Sequence, residues 1–190
     1  TYRQYVDSKY SVRQILVEHN HFNDDARREH LLRLLLRCRE QNAIPIINYN
    51  DALSSAENRR MELAALSLAK PNVHEYYDND ETAAQVALLV HAKTLLILTS
   101  ADGIYADPND PSTLIEEIGG KDAYELEKNI EEAQTHCDGA SRKGANGARA
   151  KLGYVKEAAL QGTTVYIANG KYSIADILAG NVRRTAIRLR

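Results

Sequence analysis

A chain of 190 residues with 44% hydrophobic and 26% charged residues can build a core and cover it, so one domain, at most two, is expected. A formal net charge of −2 offers no basic field and argues against nucleic acid or an anionic membrane surface as partner. No run reaches the roughly 20 apolar residues of a membrane helix, and the two cysteines, Cys38 and Cys137, fall in no metal-ligand spacing, so a cytoplasmic chain with reduced thiols is expected.

The chain opens on T-Y-R-Q-Y-V without an initiator Met, which reads as a fragment, a processed chain or a truncated one. Residues 2–10 suggest a short helical piece, 14–17 a strand, and 19–25 a polar turn. Asn23, Asp24 or Asp25 can cap a helix over 26–41, where Leu31, Leu32, Leu34, Leu35 and Leu36 form an apolar stripe opposite arginines. Residues 43–47 make a short β run that delivers N-Y-N-D to a strand end. A helical pattern covers 54–70 and stops at Pro71. After polar residues 72–80, a helix over 81–91 is expected with Asp80 as its cap. The unbroken apolar run 94–98 suits the central strand of a parallel sheet, and the turn after it should wall a ligand site. An acidic helix follows over 121–134, a loop over 137–145, a helix over 146–161 ended by Gly162, a strand over 163–168, a short helix over 174–178 and a last strand over 184–189. The C-terminal arginines Arg183, Arg184, Arg188 and Arg190 alternate with apolar residues like a solvated strand face. Strands alternating with helices predict an α/β fold with a mainly parallel sheet.

Four polar clusters fall at strand ends or helix starts: 48–51, 78–80, 99–107 and 141–151. The carboxylates Asp51, Asp78, Asp80, Asp102 and Asp107 can hold Mg²⁺ through one or two ligands, bind an ammonium group, or cap helices. The segment S-R-K-G-A-N-G-A-R-A-K at 141–151 has the glycines, helix-leading amides and basic side chains of a phosphate-cradling loop, or of a flexible basic loop; it does not match GxxxxGK[ST].

In series, I-P-I-I-N-Y-N-D at 44–51, D-N-D at 78–80 and L-L-I-L-T-S-A-D-G-I-Y-A-D-P at 95–108 resemble the amino acid kinase superfamily, and within it the glutamate 5-kinases. The family's G-T-G-G-M-x-T-K reads G-A-N-G-A-R-A-K at 144–151 here, its V-I-A-x-G strand reads V-Y-I-A-N-G at 165–170, and its T-D after the central strand reads Thr99-Ser100. The resemblance implies a three-layer αβα sandwich over residues 1–190, the C-terminal portion of one kinase domain, because the family's opening K-x-G-[ST] strand-loop has no counterpart in this sequence. Between Asp51 and Asp78 it has a helix-sized insertion relative to the family's compact loop.

The resemblance also implies roles. Asp51 and Asn79, with Asn48 and Asn50, would hold the amino and carboxylate groups of glutamate, and Asp80 would orient catalytic lysines. Thr99, Ser100, Asp102, Gly103, Tyr105 and Asp107 would border ATP. Gly144, Asn146, Gly147 and Lys151 would wrap its phosphates, with Lys151 stabilising charge on the transferring group and Mg²⁺ assisting. Phosphoryl transfer to a carboxylate requires in-line positioning and cations rather than a strong base. Glutamate and ATP are then the small-molecule partners, and a homo-oligomer is implied. The alternatives are a non-catalytic nucleotide-binding relative and a uridylate kinase-like enzyme, against which the 48–51 and 78–80 pair argues.

Overall fold

The computed structural model of the chain describes residues 2–18, 20–50, 79–137 and 147–190. The expected helix at 54–70, the polar stretch at 72–78, the loop at 138–145 and the residues Asp51, Asp78, Gly144 and Asn146 lie outside them. The chain divides into two compact units, Thr1–Thr82 and Ala83–Arg190. No helix of the described residues is long and apolar enough to cross a membrane.

In the first unit, β1 (Ser11–Val17) and β2 (Ala43–Tyr49) pair in parallel, with Ile15 opposite Ile47 and Val17 opposite Tyr49. They are joined by α1 (Asn20–Asn23) and α2 (Asp25–Glu40). Of the three cap candidates, Asp24 is the one used: its carboxylate accepts the Arg27 N–H at 2.9 Å, satisfying an amide that the helix itself cannot. Leu31, Leu35 and Cys38, at i, i+4 and i+7, are its buried stripe, which makes Cys38 a core thiol. Gln41 caps the C-terminus, and Asn42 turns the chain at a left-handed φ of 49°. The N-terminal helical piece is a 3₁₀ turn over Tyr2–Tyr5 only. The expected polar turn at 19–25 holds the single-turn α1, because the Glu18 carbonyl accepts the His21 N–H at 3.0 Å while the Glu18 N–H donates to His21 Nδ1 at 3.0 Å.

Helix α3 (Asn79–Leu89) begins earlier than expected, so Asp80 sits inside its first turn rather than at its cap, where a carboxylate still favours the positive end of the helix. The second unit is built on a four-stranded sheet of β3 (Thr94–Thr99), β7 (Thr164–Asn169), β8 (Arg184–Leu189) and β6 (Glu117–Gly120), in that spatial order. Pairs β3–β7 and β6–β8 are parallel, and β7–β8 is antiparallel.

Helices α4 (Ala123–His136) and α5 (Ala148–Leu160) bury Leu126, Ile130, Leu152, Val155 and Ala159 in one cluster with Ile97, Val165, Ile167 and Ile187 of the sheet. Lys156 of α5 ties the helices together through Glu127 at 2.9 Å and Glu131 at 3.3 Å of α4. Gly120, at the end of β6, is required by this packing: a Cβ there would stand 2.3 Å from the Leu126 backbone nitrogen. A short α6 (Ile174–Ala179), capped by Ser173 Oγ, buries Ile177 and follows β7.

Two expectations change. The strand at 94–98 is not central among the described residues: β3 pairs on one side only, with β7, and Leu98 is 49% exposed while Ile97 is buried. Its apolar run reads as two-sided burial, but pairing partners decide a strand's place in a sheet, and these are non-local. Residues 104–120, which carry no periodic signal, form a two-stranded ribbon, β4 (Ile104–Tyr105) with β5 (Leu114–Ile115), and then β6.

Candidate functional site

β3 and β7 finish together, Thr99 opposite Asn169. Helix α5, 13 residues and so about 20 Å long, joins the 6-residue β7, also about 20 Å, through a short turn. The N-terminus of α5, with Gly147 and Lys151, therefore returns to the end of the sheet where β3 and β7 stop. Antiparallel β8 starts at that end too, with Arg184 opposite Ala168. Three chain crossings thus share one carboxyl-end edge, the usual location of ligands in α/β sheets.

The loop after β3 is stitched to the loop after β7. The Thr99 carbonyl accepts the Gly170 N–H at 2.9 Å, and Asn169 Nδ2 donates to the Ser100 carbonyl at 2.8 Å. Asn169 Oδ1 accepts the Lys171 N–H at 3.0 Å, turning the chain out of β7. Lys171 Nζ then meets Asp102 Oδ1 at 3.1 Å and lies 4.6 Å from the centre of the Tyr172 ring. Burial alone would push the Asp102 carboxyl upward, but the Lys171 ammonium, with help from the Asn169 amide and Arg183, holds it below the usual carboxylate range. Lys171 is correspondingly held above the usual ammonium value, first by Asp102. Its side chain remains more than half exposed at this edge.

Gly103 is where the loop passes beneath β8. A Cβ there would lie 2.5 Å from Thr185 Oγ1 and 2.9 Å from the Thr185 backbone nitrogen. Thr185, fully buried, accepts the Ile104 N–H at 2.8 Å and donates to the Ile115 carbonyl at 2.7 Å, fastening both strands of the ribbon. Tyr105 faces Leu114 in the ribbon register. Asp107 closes the turn: its N–H donates to Thr113 Oγ1 at 2.9 Å and its carboxylate accepts the Asn109 N–H at 2.9 Å.

Gly147 occupies the N-cap of α5 in extended conformation and, having no side chain, makes no side-chain cap hydrogen bond itself. Lys151 is half-buried within the first turns of that helix, its N–H donating to the Gly147 carbonyl at 3.2 Å. In the first unit, Asn50 follows β2: its N–H donates to the Val17 carbonyl at 2.9 Å and its amide to Glu18 Oε1 at 2.7 Å, and it is buried. Asn48 is exposed on β2, and Asn79 is exposed and Asp80 half-buried at the start of α3.

Among the expected residues, the structure brings Thr99, Ser100, Asp102, Gly103, Tyr105, Gly147 and Lys151 to one edge of the second unit, while Asn48 and Asn50 end β2 of the first. Sequence reading missed Asn169, Lys171 and Thr185. A polar N-G-K run closing a β-rich stretch was the available signal for the first two; Thr185 had none.

The amino acid kinase family profile matches residues 2–169. The chain is 32% identical over 176 residues to a glutamate 5-kinase of Clostridium perfringens, covering 89% of this chain and 58% of that protein. It is 35% identical over 135 residues to a glutamate 5-kinase of Bacteroides thetaiotaomicron (70% and 31%), and 31% identical over 160 residues to a delta-1-pyrroline-5-carboxylate synthase of Mesembryanthemum crystallinum (83% and 20%). It thus spans less than two thirds of the length of each of these relatives. A UMP kinase structure from Ureaplasma parvum superposes with a TM-score of 0.41 at 13% identity, covering 95% of this chain and 100% of that one, a likeness too loose to bear on function. With an α/β architecture in which parallel strand pairs predominate and a family profile running through both units, the chain belongs to the amino acid kinase family.

Proposed function

We propose that this protein is a kinase of the glutamate 5-kinase type, transferring the γ-phosphoryl group of ATP to the side-chain carboxylate of glutamate, the first step of proline synthesis. An oxygen of the carboxylate forms the new bond to phosphorus, the bond from phosphorus to the bridging oxygen breaks, and ADP leaves with that electron pair. The product is an acyl phosphate. The carboxylate is ionised at neutral pH, so no general base is needed, and the protein's task is to position and to neutralise charge.

The observation that carries this reading is the ordered motif run on a chain about 30% identical to proteins named glutamate 5-kinase. In it, Asn48, Asn50, Asp51 and Asn79 hold glutamate, and Asp80 orients the cationic groups. Residues 99–107 border the nucleotide, residues 144–147 wrap its phosphates, and Lys151 stabilises the transferring group. The stitched edge at Thr99, Asp102 and Lys171, at the end of the sheet to which the start of α5 returns, supports it, since helix-leading amides and ammonium groups at one edge suit a polyphosphate. Both compact units are then parts of one kinase domain, working in the cytoplasm as a homo-oligomer.

No group of three or more His, Cys, Asp or Glu side chains among the described residues could hold a metal ion. Asp102 is engaged by Lys171 and Asp107 by its own turn. These residues do not fit a protein cage for Mg²⁺, so the ion would enter on the nucleotide's phosphates, where it neutralises phosphate charge.

The test is ADP release by the full-length protein with glutamate, aspartate or UMP as acceptor. Release that requires glutamate is the expected result. Release driven by UMP would replace the reading with a uridylate kinase-like one, and ATP binding without dependence on any acceptor would replace it with a nucleotide-binding one.

A further inference from the structure

We propose that a groove on the sheet face opposite the α4–α5 core is a second anion site that binds a phosphate group, free or on a small ester. β8 alternates, so Thr185 and Ile187 point into the core while Arg184, Ala186 and Arg188 point to the other face. Glu117 of β6 stands level with Ala186 and shares that face. Together with the turn at 180–183 and Glu116, these residues line a groove of about 440 Å³.

The charges there do not cancel. Glu117 is occupied by Arg188 at 2.6 Å and Arg190 at 2.8 Å. Arg183 and Arg184 form no ion pair among the described residues, and the remaining carboxylate lining the groove is the exposed Glu116. Three arginines therefore line the groove against two glutamates, and Glu117 is bound twice, by Arg188 within the groove and by Arg190 from outside it, which leaves the groove net positive and suited to an anion.

The two guanidiniums outside close ion pairs are also held in place. Arg184 lies with its guanidinium carbon 4.2 Å from the centre of the Tyr166 ring, which fixes the plane of its fork. Its Nη1 is buried with no hydrogen-bond acceptor and lies out of a ligand's reach, so the rest of its fork is what it offers the groove. Arg183 is tethered by one nitrogen to the Pro111 carbonyl, leaving the rest of its fork to a ligand. Two oriented forks with unspent donors suit the several acceptor oxygens of a phosphate better than a single carboxylate. In contrast to the edge at Thr99 and Lys171, this site uses none of the residues assigned to ATP or glutamate.

Thermal unfolding of the protein, titrated with inorganic phosphate and separately with glycerol phosphate against chloride of matched ionic strength, tests the site. The midpoint should rise saturably, and the ligand with the lower half-saturation identifies whether free phosphate or an ester is preferred. Arg184→Gln and Arg183→Gln should each weaken binding by about tenfold or more, Arg184→Lys should retain part of it, and Lys171→Gln should retain all of it. If Arg184→Gln does not fold, the exposed Arg183 decides. An unchanged phosphate response in the arginine variants, its loss in Lys171→Gln, or no response beyond that of chloride overturns the proposal.

Discussion

Gly103→Ala is the sharpest test of how the loop after β3 is held. The added methyl would stand 2.5 Å from Thr185 Oγ1, 2.9 Å from Leu114 Cδ1 and 2.9 Å from the Thr185 backbone nitrogen. None of these can yield cheaply. Thr185 is fully buried in β8, and its hydroxyl is committed at 2.8 Å to the Ile104 N–H and at 2.7 Å to the Ile115 carbonyl. Overpacking costs about 1–3 kcal/mol, and displacing the hydroxyl leaves the buried Ile104 N–H unpaired for about 1–3 kcal/mol more. A loss of about 2–6 kcal/mol lowers the melting temperature of a chain this size by roughly 4–24 °C. Gly153→Ala is the matched control. Its Cβ would come no closer than 3.4 Å to Gln134 Nε2 on an exposed helix face, where alanine should add about 0.5–1 kcal/mol. Urea midpoints and thermal scans of both variants provide the measurement. A Gly103→Ala protein as stable as wild type would refute the claim that the loop is clamped under β8.

Within the proposed kinase, Lys151→Ala should lower kcat by about a hundredfold or more in the ADP-release assay, the scale of losing one charge-stabilising group; unchanged turnover would remove it from the mechanism. Glutamate should raise the thermal midpoint of the wild-type protein and leave that of Asp51→Ala unmoved, whereas equal protection of both would place glutamate elsewhere. Hydrogen bonding from Arg190, and after it from Arg188, outweighs burial and holds the Glu117 carboxyl below its ordinary 4.5. The stabilisation this provides is complete above the unfolded value and is lost as pH falls through the folded one. The stability gap between wild type and Glu117→Gln should therefore shrink in urea titrations as pH drops below about 4.5, and a gap independent of pH would contradict the pairing.

The local signals in this chain were readable because they depend on neighbours along the helix or strand. The period of Leu31, Leu35 and Cys38, the Asp24 cap and the stop before Asn42 all follow from one helical turn to the next. The motif run at 44–51, 78–80 and 95–108 likewise points to the amino acid kinase family, and the family profile over residues 2–169 agrees.

Position within a sheet is a different kind of information. Whether residues 94–98 lie at the centre or the edge depends on β7, whose Asn169 meets Ser100 from 69 positions away. The ribbon over Ile104–Tyr105 and Leu114–Ile115 is too short for any period, and exists because Thr185 fastens both strands from β8. The C-terminal arginines keep the exposure that their alternation suggests, and the fold adds that Arg188 and Arg190 are bound to Glu117 and Arg184 is stacked on Tyr166. The family, most helices and the polar strand ends can thus be read from the order of residues alone. That Lys171 answers Asp102 and that Gly103 must be bare follows instead from which strands lie side by side, and strand pairing joins residues whose separation along the chain leaves no local trace.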